Sequence, residues 1–225
     1  MGLAYKFPKF YSLIDRLFFV SNENSPLSPL AIETMDIQSL NSNAIVIDLA
    51  CGSGTLALWI AKRRPDLHVV GIDSAEDMIE EANSIAKELD LDNVSFTCQS
   101  ALTINNDDVL SVSSATEKSA SPVQMIVCSY GFSAMKNHVN MFEQTTKLLN
   151  SGGRYIIMDL HYLKQDWLSL FMTHCVDNWL WGSNQLNPVW EVMPQKLINF
   201  VKHEQPLKLY RFIPAVFYIA KGIKA

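Results

Sequence analysis

Asp48-Leu-Ala-Cys-Gly-Ser-Gly-Thr55 holds more potential chemistry than any other stretch of this chain. Gly52 and Gly54 allow the backbone to pass close to a ligand, and a helix opening at Thr55 would aim free N–H groups at the same point. Asp73 follows the glycine turn by about 20 residues, the spacing at which a carboxylate accepts hydrogen bonds from ribose hydroxyls. Gly52-Ser-Gly54-Thr-Leu-Ala57 fits G-x-G-x-x-[GA], so a dinucleotide site is one reading. Asp48 favours another. A carboxylate at the end of the preceding strand repels a pyrophosphate, and it suits a cofactor carrying an ammonium and a sulfonium.

The elements that must position these groups alternate along the chain. Ala44 to Ala50 is apolar and β-branched, as a strand buried on both faces should be. Thr55 to Arg64 reads as a helix stopped by Pro65, and His68 to Asp73 as a second strand. Ser74, with Asp77 three residues on, fits a capping box for a helix carrying Met78, Ile79, Ala82, Ile85, Ala86 and Leu89. Val94 to Cys98, Val123 to Ser129 and Arg154 to Leu160 read as further strands, with a helix from Val139 to Leu149. Strands separated by helices require right-handed crossovers. The expected fold is α/β and Rossmann-like: a mostly parallel seven-stranded sheet, helices on both faces, and a C-terminal antiparallel strand. Lys208 to Ile213 and Ala215 to Ala220 are the expected terminal strands.

Residues 1–225 read as one domain, with 44–160 as its cofactor-binding core. Residues 1–43, rich in aromatics at their start, are an expected lid or substrate segment. Residues 103–122 read as a mobile polar insertion. Residues 161–206 hold four of the five tryptophans and are expected to cap the substrate, with 207–225 supplying the terminal strands. Ligands of an open α/β sheet bind beyond the carboxyl ends of the strands. Asp48, Asp73, Gln99-Ser100, Ser129-Tyr130, and Asp159 with His161 all fall there.

Composition narrows the classes of function. A formal net charge of −5 argues against a broad nucleic-acid footprint, and no apolar run is long enough to span a bilayer. The N-terminus lacks the basic-then-apolar order of a secretory signal. Cys51, Cys98, Cys128 and Cys175 form no C-x-x-C pair and no zinc-type cluster with histidine, so reduced thiols, no metal and a cytoplasmic location are expected. The expected partner is a small-molecule substrate, and nothing in the sequence marks an oligomeric state.

Taken together, VIDLACGSGT, GIDSAEDMIEEA, MIVCSYGF and LLNSGGRYIIMD resemble the class I S-adenosylmethionine-dependent methyltransferases over roughly residues 44 to 160. Within that class the chain is similar to the quinone-biosynthesis C-methyltransferases. The resemblance implies S-adenosylmethionine as cofactor, held by Tyr11, Asp48, Ala50, Gly52, Ser53, Gly54, Asp73, Ser74, Met78, Gln99, Ser100, Ala101 and Ser129. Ala50 stands where the family pattern has its first glycine, and Gln99-Ser100-Ala101 where many members place an acidic residue for the adenine. His161 and Tyr130 are the candidate catalytic residues, as base or positioning group; Trp167, Phe171 and His138 are the candidate substrate contacts. Each has a plainer reading, as a surface histidine, a helix-start residue or a core aromatic. Two other functions share the pattern: a protein of this fold that binds cofactor without transferring methyl, and an NAD(P)-dependent reductase.

Overall fold

The computed structural model describes residues 29–113, 122–135, 137–162, 167–171, 174, 189–206 and 215–225. The apolar runs become strands β1 (Ile45–Leu49), β2 (His68–Asp73), β3 (Val94–Cys98), β4 (Val123–Ser129) and β5 (Arg154–Tyr162). Two more, β6 (Ile198–Pro206) and β7 (Ala215–Ile223), complete a seven-stranded sheet in the order β3-β2-β1-β4-β5-β7-β6. The five strands from β3 to β5 are parallel, while β7 runs antiparallel to both β5 and β6. The strand order reverses between β1 and β4, so the cleft expected of a doubly wound sheet lies at the carboxyl ends of these strands.

Alternation along each strand divides the core in two. Ile45, Ile47, Leu49, Tyr155, Ile157 and Tyr218 face one side, packed against α4 (Asn106–Val112), α5 (His138–Leu148) and a 3-10 segment (Val189–Gln195). Ala44, Val46, Ile156, Met158 and Ile219 face the other side, against α1 (Pro29–Met35) and α2 (Thr55–Arg63). Asp48 shares the parity of Val46 and therefore points toward α2. The helix α3 (Glu76–Glu88) buries Met78, Ile79, Ala82 and Ala86. A short helix, α6 (Trp167–Phe171), follows β5.

Four expectations are corrected. The polar stretch after residue 103 does not begin as a mobile insertion: Asn105 accepts from the Asp108 N–H, Asp108 accepts from the Asn105 N–H, and this box starts α4, which buries Val109. The Ser74–Asp77 box does not form. Ala75 is the N-cap of α3, and Asp73 rather than Ser74 accepts its N–H. The strand that pairs with β7 at the edge is Ile198–Pro206, inside the segment expected to cap the substrate; residues 208–213 lie outside the described residues. Finally, β5 runs on to Tyr162, because β7 pairs with it through Tyr162↔Ala215, so His161 is in the strand rather than after it.

Candidate active site

The glycine loop is strapped to the end of β2. The Cys51 N–H donates to Ile72 O at 3.1 Å, and the Gly52 N–H donates to Asp73 Oδ2 at 2.9 Å. Ala50, Gly52 and Gly54 have φ of 54°, 53° and 80°, so alternate residues are left-handed and the chain coils tightly before α2. A side chain at Gly54 would come within 2.6 Å of the Phe96 ring, and one at Gly71 within 2.4 Å. The ring of β3 thus lies against bare backbone of both β2 and the loop. Ser53 is 2% exposed and turns inward. Met78 is fully buried and belongs to the core.

Asp73 is the better exposed of the two acidic side chains. Oδ2 accepts from Gly52 and Oδ1 from the Ala75 N–H at 2.9 Å, and the Ser74 N–H bonds the same carboxylate, which leaves it one further acceptor position. Burial raises its pKa, with the backbone donors opposing. Asp48 is 1% exposed, and its Oδ2 accepts from the Ala57 N–H at 3.1 Å in the first turn of α2. It has no ion-pair partner among the described residues. Burial pushes its carboxyl up to about 8, the Ala57 donor pulls the other way, and the Asp73 charge adds to the rise. Asp48 sits beneath the loop at the start of α2, largely protonated at neutral pH, and a cation bound above it would favour its ionised form.

Beyond β3, the Gln99 N–H donates to Asp73 O at 2.9 Å, and the Gln99 side-chain amide donates to Asp108 Oδ2 at 2.9 Å. The Ser100 carbonyl accepts from the Thr103 and Ile104 N–H groups, and Ala101 packs on the core. Sequence reading missed Asp108 as the group that fixes Gln99, although the Asn105-x-x-Asp108 spacing was visible.

At the other end of the cleft, Ser129 closes β4 and Tyr130 follows it with φ 56°, its N–H donating to Met158 O at 2.8 Å. The Tyr130 ring lies 5.5 Å from that of Phe217. Asp159 is 1% exposed and accepts from the Ser133 and Leu160 N–H groups at 2.8 Å. Burial lifts its pKa to about 6 against those donors. His161 meets Trp190 edge to face at 4.8 Å. His138 opens α5 and lies 6.3 Å from Phe132, with its pKa lowered by burial. Trp167 and Phe171 are 77% and 53% exposed, so the structure does not gather them with the groups above. Tyr11, Trp179 and Trp181 lie outside the described residues. Among the described residues no cluster of His, Cys, Asp and Glu could hold a metal ion.

Comparison with known proteins agrees with this arrangement. The family described as Methyltransferase domain matches residues 40–200. The demethylmenaquinone methyltransferase of Listeria welshimeri is 22% identical over 128 residues, 56% of this chain and 49% of that protein. The release factor glutamine methyltransferase of Buchnera aphidicola is 41% identical over 83 residues, 35% of this chain and 30% of that protein. The chain therefore spans between about a third and a half of these curated relatives. Among solved structures, phosphoethanolamine N-methyltransferase 2 of Haemonchus contortus, in complex with S-adenosyl-L-methionine, superposes with a TM-score of 0.68 at 12% identity. That superposition covers 95% of this chain and 57% of that one. With the glycine loop, the paired carboxylates and the reversed strand order in place, and a family match over most of its length, the chain belongs to the methyltransferase domain family.

Proposed function

We propose that this protein is an S-adenosylmethionine-dependent methyltransferase acting on a small aromatic or apolar acceptor. The observation that carries this reading is the pair of carboxylates around the glycine loop. Asp73, partly exposed and fixed by backbone donors, keeps acceptor capacity for a ribose hydroxyl. Asp48 is buried with no cation among the described residues, a site that a positively charged ligand improves and a pyrophosphate worsens. Gly52, Gly54 and Ala50 bring the backbone close, and Gln99, Ser100 and Ala101 border the adenine end. When bound, S-adenosylmethionine supplies an electrophilic methyl group on a sulfonium centre.

The protein's own work is to hold the two partners in line and keep water out. Tyr130 and Ser129, at the carboxyl end of β4 where ligands of such sheets bind, are the candidates to position the acceptor. His161 is the candidate to accept a proton where the acceptor must lose one, a reading supported by the ordinary near-neutral pKa of imidazole. His138, Trp167 and Phe171 are the remaining candidates for contact with the acceptor, and Tyr11 for the cofactor's methionine end.

Calorimetric titration with S-adenosylhomocysteine, NAD and NADP tests the cofactor. Binding of S-adenosylhomocysteine alone is the expected result, and binding of a nicotinamide cofactor in its place would replace this reading with a reductase. Transfer of labelled methyl to aromatic or apolar small molecules tests the acceptor class.

A further inference from the structure

The antiparallel end of the sheet assembles a polar patch that the cofactor site does not use. Paired residues of neighbouring strands share a face. Asp159 of β5, Tyr218 of β7 and Glu204 of β6 lie in one such row. His161 and Lys202 project on the same side. Trp190 stands among them, its ring 4.8 Å from His161 and 4.4 Å from Tyr218, with Lys202 Nζ 4.4 Å from its centroid.

Tyr218 is 1% exposed, and its hydroxyl has no hydrogen-bond partner among the described residues. An unpaired hydroxyl is unfavourable in a water-poor interior, so the group is incomplete as it stands. Burial, with the Asp159 charge adding to it, pushes the phenol's ionisation up, so it remains an O–H donor and calls for a lone pair. His161 is partly buried and Lys202 and Glu204 are exposed, so solvent reaches the rim of the cluster, while Trp190 and the Tyr218 hydroxyl are closed in. A flat ring entering past His161, with a shift of that side chain, would lie against Trp190 and carry a substituent toward Tyr218.

We propose that Tyr218 selects the acceptor, donating its phenolic O–H to an oxygen substituent on the acceptor's ring while Trp190 contacts the ring. This rests on the small aromatic acceptor proposed above. Tyr218→Phe removes the hydroxyl and little else. The probes are 1-naphthol and naphthalene, titrated calorimetrically into protein saturated with S-adenosylhomocysteine. Wild type should bind 1-naphthol about tenfold more tightly than naphthalene, the size of one good hydrogen bond. The variant should bind both alike, with affinities for naphthalene and S-adenosylhomocysteine unchanged. Without any ligand, its melting temperature should equal or exceed that of wild type. A fall of about 4 °C or more would reveal a structural hydrogen bond, made through buried water, and overturn the proposal. A preference for 1-naphthol that survives in the variant would overturn it too. If wild type binds the probes equally, this proposal fails and the aromatic acceptor stands; if it binds neither, both fall.

Discussion

Asp48 has a buried carboxyl raised to about 8, and Asp159 one raised to about 6. An unfolded aspartate titrates near about 3.9, so the folded protein holds both protons longer. The sign follows: the stabilising contribution is complete below pH ~4 and is lost as pH rises through each folded pKa. Stability of the ligand-free protein should therefore fall from about pH 4, more steeply up to pH 6 while both groups contribute than between pH 6 and pH 8, and level off above that. Asp48→Asn keeps an oxygen for the Ala57 N–H but cannot ionise. Its melting temperature should draw ahead of wild type between about pH 4 and pH 8 and keep that lead above pH 8, while its affinity for S-adenosylhomocysteine drops. Coincident melting profiles across that range would exclude titration of Asp48 there. Asp73 is proposed to act differently, through the acceptor capacity its backbone donors leave it. Asp73→Ala should weaken S-adenosylhomocysteine binding by about tenfold or more, because charge-assisted bonds to the ribose disappear. Unchanged affinity in the folded variant would remove Asp73 from the site.

At the scale of elements, close contact of a ring with bare backbone sets the geometry of the cleft wall. Gly71→Ala drives a methyl to within 2.4 Å of Phe96 and should destabilise the fold by about 1–3 kcal/mol. Phe96→Leu in the same chain should restore much of that loss, and chemical denaturation of the single and double variants measures it. Asn105→Ala removes half of the box that starts α4 and should cost about 1 kcal/mol by the same measurement. It should also loosen Gln99, whose amide is held by Asp108. The parallel strands were legible in the sequence because burial on both faces demands uninterrupted Val and Ile runs. The start of α4 was hidden because Asn105 to Asp108 reads as a polar loop until its reciprocal bonds are seen. The edge strand β6 was hidden for another reason. A register shift between Ile198 and Val201 breaks its alternation, and both residues are about half exposed, 51% and 43%. Within the site, the glycine loop and Asp73 were legible from spacing. Tyr218 was not, because its role depends on which strand lies beside β5.

The whole molecule is tied across its length by two arginines. Arg64 donates to the carbonyls of Ile37 and Leu40 and pairs with Asp66 at 2.8 Å. Arg154 donates to Met35 O at 3.0 Å, to Asp36 and to Ser39. Together they fasten the segment before β1 to the lower rim of the sheet. Arg64→Ala would leave the buried Leu40 carbonyl without its donor and the Ile37 carbonyl with the Leu40 N–H alone, and should lower stability by about 1–3 kcal/mol, measurable by denaturant unfolding. Among the described residues no helix is long and apolar enough to cross a membrane. The position of β7 has a consequence for how the chain reaches this form. Although β7 follows β6 in sequence, it lies between β5 and β6. A nascent chain that has emerged only as far as residue 206 therefore offers β6 no place to dock, and β5 keeps an open row of backbone donors and acceptors. Sheet assembly must wait for the strand that comes last, and during that interval β5 is the edge most open to mispairing with another chain.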